Sequence, residues 1–473
     1  MQKQSGIKWR GIGIAMMAAV LFVALLATSS VPAPALAQVM PEPTTTPSDP
    51  AWRGYVVARD AIEEERSVDL TYVQQYTYEQ TEFEFGIDWG CDEDVVAADV
   101  RPVWHGWTFR ITDMRGNRHE ARVAFDLSAV VVCDEVSEGG SAPEAPPAER
   151  DPNLPDPVAG SGATGDFELG GHVDGLGPQA VTYMQQAGMT WVKKQLRFNL
   201  GDGTGLAQTL IDDARGKGFK ILLGIVGQPT QMNDFNSYVE SYADFVGQVA
   251  ALGPDAIEVW NEPNIDREWP TGQISGANYT QLLAASYNAI KTANPSVMVI
   301  SGAPAPTGAE AVAPQSIMND DRFMQEMRAA GATDYMDCLG LHYNEGIVAP
   351  SASSGDPRDN YPTRYFGSML ARGANIFPDR PVCWTELGYL TGEGMGQPIP
   401  DAFNWAQDVT LAQQASWLAE AVSISAQSGR VRLLIVWNVN FTRWDSDPMG
   451  GYAMMRPDSS CPACGPLGTV MGG

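Results

Sequence analysis

Short apolar stretches alternate with amphipathic stretches over the last two thirds of the chain, and this alternation limits the fold more than any other feature. Eight stretches have the length and composition of buried strands; they cover residues 168–174, 191–198, 220–226, 256–264, 297–303, 338–344, 381–389 and 432–440. Helical patterns separate them, for example at residues 238–252, 279–293, 322–330 and 411–428. Eight strand-then-helix units in about 290 residues match a (β/α)8 barrel in number and size.

A doubly wound open sheet is the alternative arrangement of this pattern. Such a sheet carries a glycine-rich phosphate loop after its first strand when it binds a nucleotide. Here Gly170-Gly171-His172 lies inside the first strand and fits neither nucleotide fingerprint. We therefore expect an α/β fold of the TIM-barrel type over residues 165–473, with a short C-terminal tail and no cofactor.

A smaller unit precedes the barrel. Residues 51–136 begin with a helical pattern at 55–65 and continue in period-two strand patterns, such as Trp107, Phe109 and Ile111, which predict a small α+β domain. Proline-rich segments flank this unit. Residues 38–50 form a short polar spacer, and residues 137–164 form a linker with six prolines between 137 and 162.

The N-terminus indicates export. Lys3, Lys8 and Arg10 precede an uncharged apolar run at residues 11–27, and Ala35-Leu36-Ala37 has the small residues that signal peptidase recognises. We interpret residues 1–37 as a secretory signal. An uncleaved anchor is the alternative, since the run is nearly long enough to span a bilayer. Either way the protein is expected to be secreted or on the cell surface, with membrane contact only if the segment is uncleaved.

Charge restricts the partners. The chain has 30 Lys and Arg against 57 Asp and Glu, a net charge of −27. So acidic a chain is repelled by nucleic acid and by anionic membranes, which excludes nucleic acid as a partner and favours a neutral or cationic one.

Six cysteines in an exported chain are candidates for disulfide bonds. Cys91 and Cys133 are the only cysteines in the first half, so we expect them to pair. Cys461-Pro-Ala-Cys464 is expected to close a small terminal disulfide loop, because no second pair and no nearby His completes a metal site. Cys338 and Cys383 lie in strand-like runs, where a disulfide and two buried thiols are equally compatible with the pattern.

Polar residues gather where the predicted strands end, which is where a barrel of this kind carries its reactive groups. They are His172 and Asp174 after the first strand, Arg197 and Asn199 after the second, Asn261 and Glu262 after the fourth, His342 and Tyr343 after the sixth, Glu386 after the seventh, and Trp437 and Asn438 after the eighth. Glu262 and Glu386 are the two carboxylates that stand at opposite sides of the barrel.

Barrel dimensions show that these two carboxylates can meet. Eight strands about 4.8 Å apart and tilted by roughly 36° give a radius near 7.5 Å, so strands four and seven face each other across about 14 Å. Two inward glutamates, each reaching roughly 4 Å, leave a gap of about 6 Å. This gap is nearer to the ~5–5.5 Å of retaining glycosidases than to the ~6.5–9.5 Å of inverting ones. Because the margin is small, the gap supports the pairing of the two carboxylates more than a particular stereochemical outcome.

The motifs at these strand ends resemble those of glycoside hydrolase clan A, especially families 5 and 39. They are Ile257-Glu258-Val259-Trp260-Asn261-Glu262-Pro263-Asn264 on strand four and Trp384-Thr385-Glu386-Leu387-Gly388-Tyr389 on strand seven. The resemblance covers roughly residues 165–456. It implies that Glu262 is the acid/base and Glu386 the nucleophile.

The same resemblance implies substrate-binding residues. Arg197 is similar to a strand-two Arg that hydrogen-bonds the nucleophile, Asn261 to the residue that holds the sugar 2-hydroxyl, and Trp437 to a platform under the reacting sugar. His342 is similar to the strand-six His. Related enzymes often read His-x-Tyr there, whereas this chain has His342-Tyr343-Asn344, so the tyrosine that orients the nucleophile is either Tyr343 in altered register or absent. His172 is a further candidate, as a substrate contact or a structural residue.

Glycoside cleavage explains the residue types without the resemblance. One carboxylic acid must stay protonated near neutral pH, and we expect burial and a like-charged neighbour to raise the pKa of Glu262. The other must stay ionised, and we assign Arg197 to that task for Glu386.

The sequence therefore predicts an exported retaining glycoside hydrolase that cleaves O-glycosidic bonds of a plant- or microbe-type polysaccharide or oligosaccharide by a two-glutamate double displacement. The alternative is a non-catalytic glycan-binding protein on the same barrel, suggested by the altered strand-six motif. A metal-dependent hydrolase is disfavoured, because the chain has four His and no two share a ligand-like spacing. Sugar, linkage, and endo or exo action stay open.

Overall fold

The computed structural model describes residues 50–70, 73–83, 104–113, 115–124, 127, 129–133, 154–160, 165–310, 313–359 and 361–472. The predicted signal segment, most of the spacer and Cys91 lie outside these residues. Among the described residues, no helix is both long and apolar enough to cross a membrane.

The small unit is a helix packed on an antiparallel sheet, as the sequence predicts. Its elements are α1 (Pro50–Arg66), β1 (Val73–Phe83), β2 (Trp104–Asp113), β3 (Arg118–Ala124) and β4 (Val130–Val132), with strand order β1-β2-β3-β4. Tyr55, Ala58 and Ile62 recur at helical spacing and face Phe109 and Val123 from the sheet, which gives this unit its own apolar core.

The second unit has eight parallel strands in the described part of the chain, each followed by a helix. The strands are β5 (Glu168–His172), β6 (Trp191–Arg197), β7 (Lys220–Val226), β8 (Ala256–Val259), β9 (Met298–Ser301), β10 (Leu339–Tyr343), β11 (Val382–Leu387) and β12 (Val431–Val436). The helices are α2 (Pro178–Gln186), α3 (Gly205–Gly216), α4 (Phe235–Ala251), α5 (Gly276–Ala293), α6 (Asp320–Ala329), α7 (Phe366–Ile376), α8 (Leu411–Gln427), α9 (Met449–Tyr452) and α10 (Cys464–Val470).

The sheet closes into a (β/α)8 barrel. Its strand order is β10-β11-β12-β5-β6-β7-β8-β9, and a parallel bridge between Ile300 and Cys338 joins the two ends. The predicted fold class is therefore confirmed, and the doubly wound sheet is excluded. Parallel strands end at one face of a barrel, so the polar residues that follow them meet there.

The lower interior of the barrel is an apolar layer. It consists of Trp191, Leu222, Ala256, Met298, Ile300, Cys338, Cys383, Leu433 and Ile435. Cys338 and Cys383 form a disulfide within this layer, so the two open alternatives for this pair are resolved in favour of the bond. The side chains of this layer are all buried, and the layer forms an apolar floor beneath the functional residues.

The other three described cysteines are also bonded. Cys461 and Cys464 form the predicted terminal loop. Cys133 is disulfide-bonded, while Cys91, its predicted partner, lies outside the described residues. Disulfides are compatible with an extracytoplasmic protein.

Residues 154–160, which the sequence places in the linker, lie against the barrel. Leu154 is 7% exposed and belongs to the barrel core. The Val158 amide donates to Asn288 Oδ1 at 2.8 Å, and the Tyr335 hydroxyl donates to the Pro155 carbonyl. These contacts attach the end of the predicted linker to the outside of the barrel.

We predict that a fragment covering residues 151–473 folds alone, because the small unit and the barrel have separate cores. Its free energy of unfolding should exceed that of a fragment covering 161–473 by roughly 3 kcal/mol, since the shorter one loses the burial of Leu154 and three hydrogen bonds, including one from the Asn288 amide to the Asp156 carbonyl. Urea unfolding of both fragments measures the difference. Equal stability would show that residues 154–160 contribute nothing, and insolubility of both would show that the two units share a core.

Candidate active site

Glu262 and Glu386 meet at the carboxyl ends of the barrel strands. Both are buried, at 7% and 6% exposure. His342 Nδ1 lies 3.2 Å from Glu262 Oε1 and 3.9 Å from Glu386 Oε2. These two distances limit the separation of the two carboxylate oxygens to about 7 Å. The predicted pair of carboxylates is thus brought together around one imidazole.

A backbone kink after β8 directs Glu262 into the barrel mouth. Trp260 and Glu262 have φ values of 77° and 46°, in the left-handed region that side chains rarely adopt. The Trp260 indole donates to the Glu268 carbonyl at 2.9 Å and occupies space above Gly227, where a Cβ would lie 2.2 Å from the ring. Packing therefore holds Glu262 in a strained conformation, which is common where a side chain must be aimed.

An irregularity in β11 places Glu386 beside His342. Leu341 on β10 pairs with Trp384, but the next residue, His342, pairs with Glu386, so Thr385 is passed over. The extra residue rotates the strand end and brings the glutamate level with the imidazole.

Lys193 is the cation that contacts Glu386. Its Nζ donates to Glu386 Oε1 at 3.3 Å and to the Thr385 carbonyl at 3.2 Å, and it lies 2.8 Å from Glu258 Oε2. Lys193 and Glu258 are both fully buried. Neither residue is among the candidate site residues that the sequence motifs indicate.

Arg197 does not contact Glu386, which corrects the sequence-based assignment. It lies four residues beyond Lys193 on β6, about 13 Å along the strand. Its guanidinium donates to Glu268 Oε2 at 3.0 Å and to the Gly227 carbonyl at 2.7 Å. Burial raises the pKa of Glu268 despite the hydrogen bond from Arg197. Arg197 is therefore a rim residue held by a buried carboxyl group.

Tyr343 also differs from its predicted role. Neighbouring strand residues point to opposite faces, so His342 faces the barrel interior and Tyr343 faces the helices. The Tyr343 side chain is fully buried beside Phe366 and Trp384, and its hydroxyl donates to the Arg364 carbonyl at 2.9 Å. It cannot orient Glu386 or bind substrate from this position.

His172, Trp437 and Asn261 surround the two carboxylates. His172 Nδ1 lies 3.7 Å from Glu386 Oε1, and its ring packs edge-on against Trp437 at 4.8 Å between centroids. Trp437 is half-buried, and its peptide bond to Asn438 is cis. Asn261 is buried, and its Oδ1 has no hydrogen-bond partner among the described residues. That oxygen is free to accept a hydrogen bond from a ligand.

Glu386 is held in its ionised form. Burial alone would raise its pKa, but the charges of His342 and Lys193 and the nearby His172 ring outweigh burial and lower the pKa far below its usual value. Lys193 keeps a raised pKa against its burial, because Glu258 and Glu386 both favour the ammonium form.

Glu262 does not have the raised pKa that the sequence analysis expects. Burial raises the pKa, but a hydrogen bond from His342, the His342 charge and the Arg267 charge lower it further than burial raises it. The Arg267 guanidinium contacts Glu262 Oε2 directly, and its side chain is 66% exposed. Of the two cations that lower this pKa, His342 is fully buried and Arg267 lies at the surface.

Sequence reasoning missed the charges around the pair because their positions depend on barrel register. Lys193 is followed by Lys194, and two adjacent lysines indicate a solvated strand edge. A signal was present in the alternation of β6, where Trp191, Lys193 and Gln195 share one face. Arg267 and Glu268 lie in the loop after β8, where no periodicity restricts them.

No group of three or more His, Cys, Asp or Glu in the described part of the chain has the geometry of a metal site.

No protein-family model and no curated protein matches the chain. Solved structures that match include the endoglucanase Cel5A from Thermotoga maritima, at 12% identity and a TM-score of 0.41, with 63% of this chain and 96% of that chain covered. Another is the endo-1,4-beta-mannanase from Rhizomucor miehei, at 13% identity and a TM-score of 0.43, with 67% and 99% covered. The fold assignment for this chain rests on its own strand order and closing bridge.

We predict opposite effects of His172 and His342 on the pH dependence of stability. Burial lowers the pKa of His172 to about 4. An unfolded histidine titrates near 6.5, so between these values the unfolded chain binds a proton that the folded chain does not, and His172 reduces stability as pH falls. His342 has a raised pKa, because Glu386 and Glu262 outweigh its burial. Its stabilisation is complete below about pH 6.5 and is lost as pH rises through its folded-state pKa.

Urea unfolding of His172→Gln and His342→Gln measures this difference. Between pH 7 and pH 5 the free energy of unfolding of the wild type should fall by about 2 kcal/mol because of His172. His172→Gln should not show this loss. Over the same interval His342→Gln should lose more stability than the wild type, because it lacks a group that stabilises the folded state on protonation. If the pH dependence of the free energy of unfolding changed in the same direction in both variants, relative to the wild type, the assigned charge states would be contradicted.

Proposed function

We propose that this protein is an exported retaining glycoside hydrolase. One observation carries the proposal: two buried carboxylates, Glu262 and Glu386, contact the same imidazole nitrogen at the carboxyl end of a (β/α)8 barrel. The resemblance of the motifs around them to glycoside hydrolase clan A supports the same reading.

In the first step Glu386 is the nucleophile. A carboxylate oxygen of Glu386 attacks the anomeric carbon, the bond from that carbon to the glycosidic oxygen breaks, and Glu262 gives its proton to the leaving oxygen. The low pKa of Glu386 keeps the attacking group ionised. The product of this step is a glycosyl ester of Glu386 and a free alcohol.

In the second step Glu262 changes role. It is now a carboxylate, and it removes a proton from a water molecule that attacks the anomeric carbon. The ester bond breaks, Glu386 returns to its ionised form, and the sugar is released. Two inversions at one carbon give net retention of configuration.

The separation of the two carboxylates supports retention. A limit of about 7 Å between their oxygens includes the ~5–5.5 Å of retaining enzymes and excludes most of the ~6.5–9.5 Å range of inverting ones. The limit is compatible with the shorter range, and it supports the retaining assignment together with the motif resemblance.

The substrate is a carbohydrate, and His172, Asn261, His342 and Trp437 are its proposed contacts near the reacting bond. Trp437 offers a half-buried ring for stacking on a sugar face. Arg197 is a proposed contact at the rim. The resemblance to clan A is compatible with β-linked glucan, xylan, mannan or galactan, and the net charge of −27 favours a neutral or cationic polymer.

We predict different behaviour of Glu386→Gln and Glu262→Gln. Glu386→Gln should lose turnover on every glycoside, because no nucleophile remains. Glu262→Gln should still form the glycosyl ester from an aryl glycoside whose leaving group needs no proton, and azide should release it as a glycosyl azide of unchanged anomeric configuration. Proton NMR of the first product identifies the configuration.

Arg197→Met is a useful comparison in that experiment, because it changes the rim without touching either carboxylate. First-formed sugar of inverted configuration in the wild type would overturn the nucleophile assignment. Full activity in either glutamine variant would overturn the pair. Binding of polysaccharide without turnover of any glycoside in a broad panel would favour the glycan-binding alternative.

We also predict that Arg267 sets the upper pH limit of activity. The first step needs Glu262 protonated, and Arg267 lowers the Glu262 pKa. In Arg267→Met that pKa rises, so the basic limb of the pH profile of kcat/KM should move up by roughly one pH unit. Arg443→Met is the matched control, because Arg443 is a surface arginine that pairs with Asp445. A basic limb that stays in place or moves down would contradict the role of Arg267.

A further inference from the structure

Lys193 is an unusual group for the inside of a barrel, since a buried ammonium is costly unless it is paired. Its Nζ has three oxygen partners, which are Glu258 Oε2 at 2.8 Å, the Thr385 carbonyl at 3.2 Å and Glu386 Oε1 at 3.3 Å. These partners come from β8 and β11, on either side of β6. Lys193 therefore connects the nucleophile candidate to a second carboxylate across the barrel interior.

The interior of the barrel has room for the Lys193–Glu258 pair. Trp191, Leu222 and Ala256 belong to the apolar floor, and the residues two positions later on the same strands are Lys193, Gly224 and Glu258. A Cβ at Gly224 would lie 3.2 Å from Glu258 Oε2 and 3.4 Å from Lys193 Cε. A glycine on β7 thus leaves the space through which Lys193 on β6 reaches Glu258 on β8.

The shared contact limits how tightly Lys193 holds Glu386. Lys193 is nearer to Glu258 than to Glu386, and no other donor among the described residues bonds the Glu258 carboxylate. A cation paired only with Glu386 would occupy the electron pairs needed for attack. With Glu258 as its closer partner, Lys193 favours the ionised form of Glu386 through Oε1, while Oε2 lies on the side of His342.

We propose that the buried Lys193–Glu258 ion pair positions Glu386 and keeps it ionised, in the place where the family resemblance expects an arginine at the end of strand two. Lys193 is a positioning residue, since it acts through Glu386 and touches no substrate. Glu258 is its counter-ion. This inference rests on the proposed function for its kinetic consequences, but the charge state of Glu386 is measurable without turnover.

Other groups also face Glu386 and must be separated from Lys193. They are His172 from β5, Glu262 after β8, His342 from β10 and Tyr452 from α9. None of them contacts the Thr385 carbonyl or Glu258 in the described structure. Replacing Lys193 therefore removes one charge and leaves the two histidines in place.

The direct test is a 13C NMR titration of the full chain labelled at glutamate Cδ, with the Glu386 signal assigned by its absence in Glu386→Gln. In Lys193→Met the pKa of Glu386 should rise by about one to three units relative to the wild type, the effect expected of an opposite charge at this distance. Lys194→Met is the matched control, because Lys194 binds the carbonyls of Val173 and Asp174 and should leave the titration unchanged. Arg197→Met should also leave the Glu386 titration unchanged.

Lys193→Met leaves Glu258 buried without a partner and is expected to unfold more easily, so the double variant Lys193→Met/Glu258→Met keeps the test decisive. Replacing both members of a buried ion pair by apolar residues is often neutral for stability. The double variant should therefore recover folding stability but keep the raised Glu386 pKa. If the ion pair only stabilised the fold, the double variant would recover both the folding stability and the wild-type pKa of Glu386.

Kinetics separate this inference from the proposed function. If the wild type is active, the acidic limb of kcat/KM should move up in the double variant by the same one to three units as the NMR titration, with little change in KM. Absence of any turnover in the wild type would overturn the proposed function and leave the titration to decide the role of Lys193. An unshifted Glu386 titration in the double variant, or a shift in Arg197→Met of the size expected for Lys193, would overturn the inference.

Discussion

The charge of two buried carboxylates is the constraint on which the mouth of this barrel depends. Glu262 and Glu386 share His342, and each has a second cation of a different kind. Glu386 has Lys193, which is fully buried and shared with Glu258, while Glu262 has Arg267, which lies at the surface. Glu386 is therefore ionised by buried groups alone, whereas one of the two cations that lower the pKa of Glu262 lies at the surface. This asymmetry matches the different roles of a nucleophile and an acid/base.

The fold supplies this asymmetry through two levels inside the barrel. The lower level is apolar and is tied by the Cys338–Cys383 disulfide between β10 and β11. The level above it contains Lys193 and Glu258, with Gly224 leaving room for them. Lys193 and Glu258 are fully buried above this apolar floor, so bulk water screens their interaction little. The cost of their burial lowers stability, and the kinked backbone at Trp260 and Glu262 adds strain at the same place.

The strand pattern was sufficient to predict the barrel and to place Glu262 and Glu386 at the ends of its strands. The stretch at 220–226 has the same bounds as β7, whereas 256–264 is longer than β8 because the chain turns at Trp260 with a positive φ, which no periodicity reveals. The outward position of Tyr343 follows from strand alternation once His342 is placed inside. Lys193 and Arg197 could not be distinguished from the sequence, because both lie on the inward-facing register of β6 and only the stagger of the strands decides which is level with Glu386. The pairing of Cys338 with Cys383 likewise needed the adjacency of β10 and β11.

Trapping the glycosyl ester is the most direct measurement of the central claim that Glu386 attacks a sugar. A 2-deoxy-2-fluoroglycoside with a dinitrophenyl leaving group slows both steps, and its good leaving group lets the first step finish while the second is slow, so the ester accumulates. After incubation with the series whose parent sugar is turned over, intact-mass spectrometry should show one added fluorosugar. Peptide mapping should place it on Glu386, within the segment that follows Cys383. A fluorosugar on any other residue, or complete turnover of the parent glycoside with no adduct at all, would contradict the account.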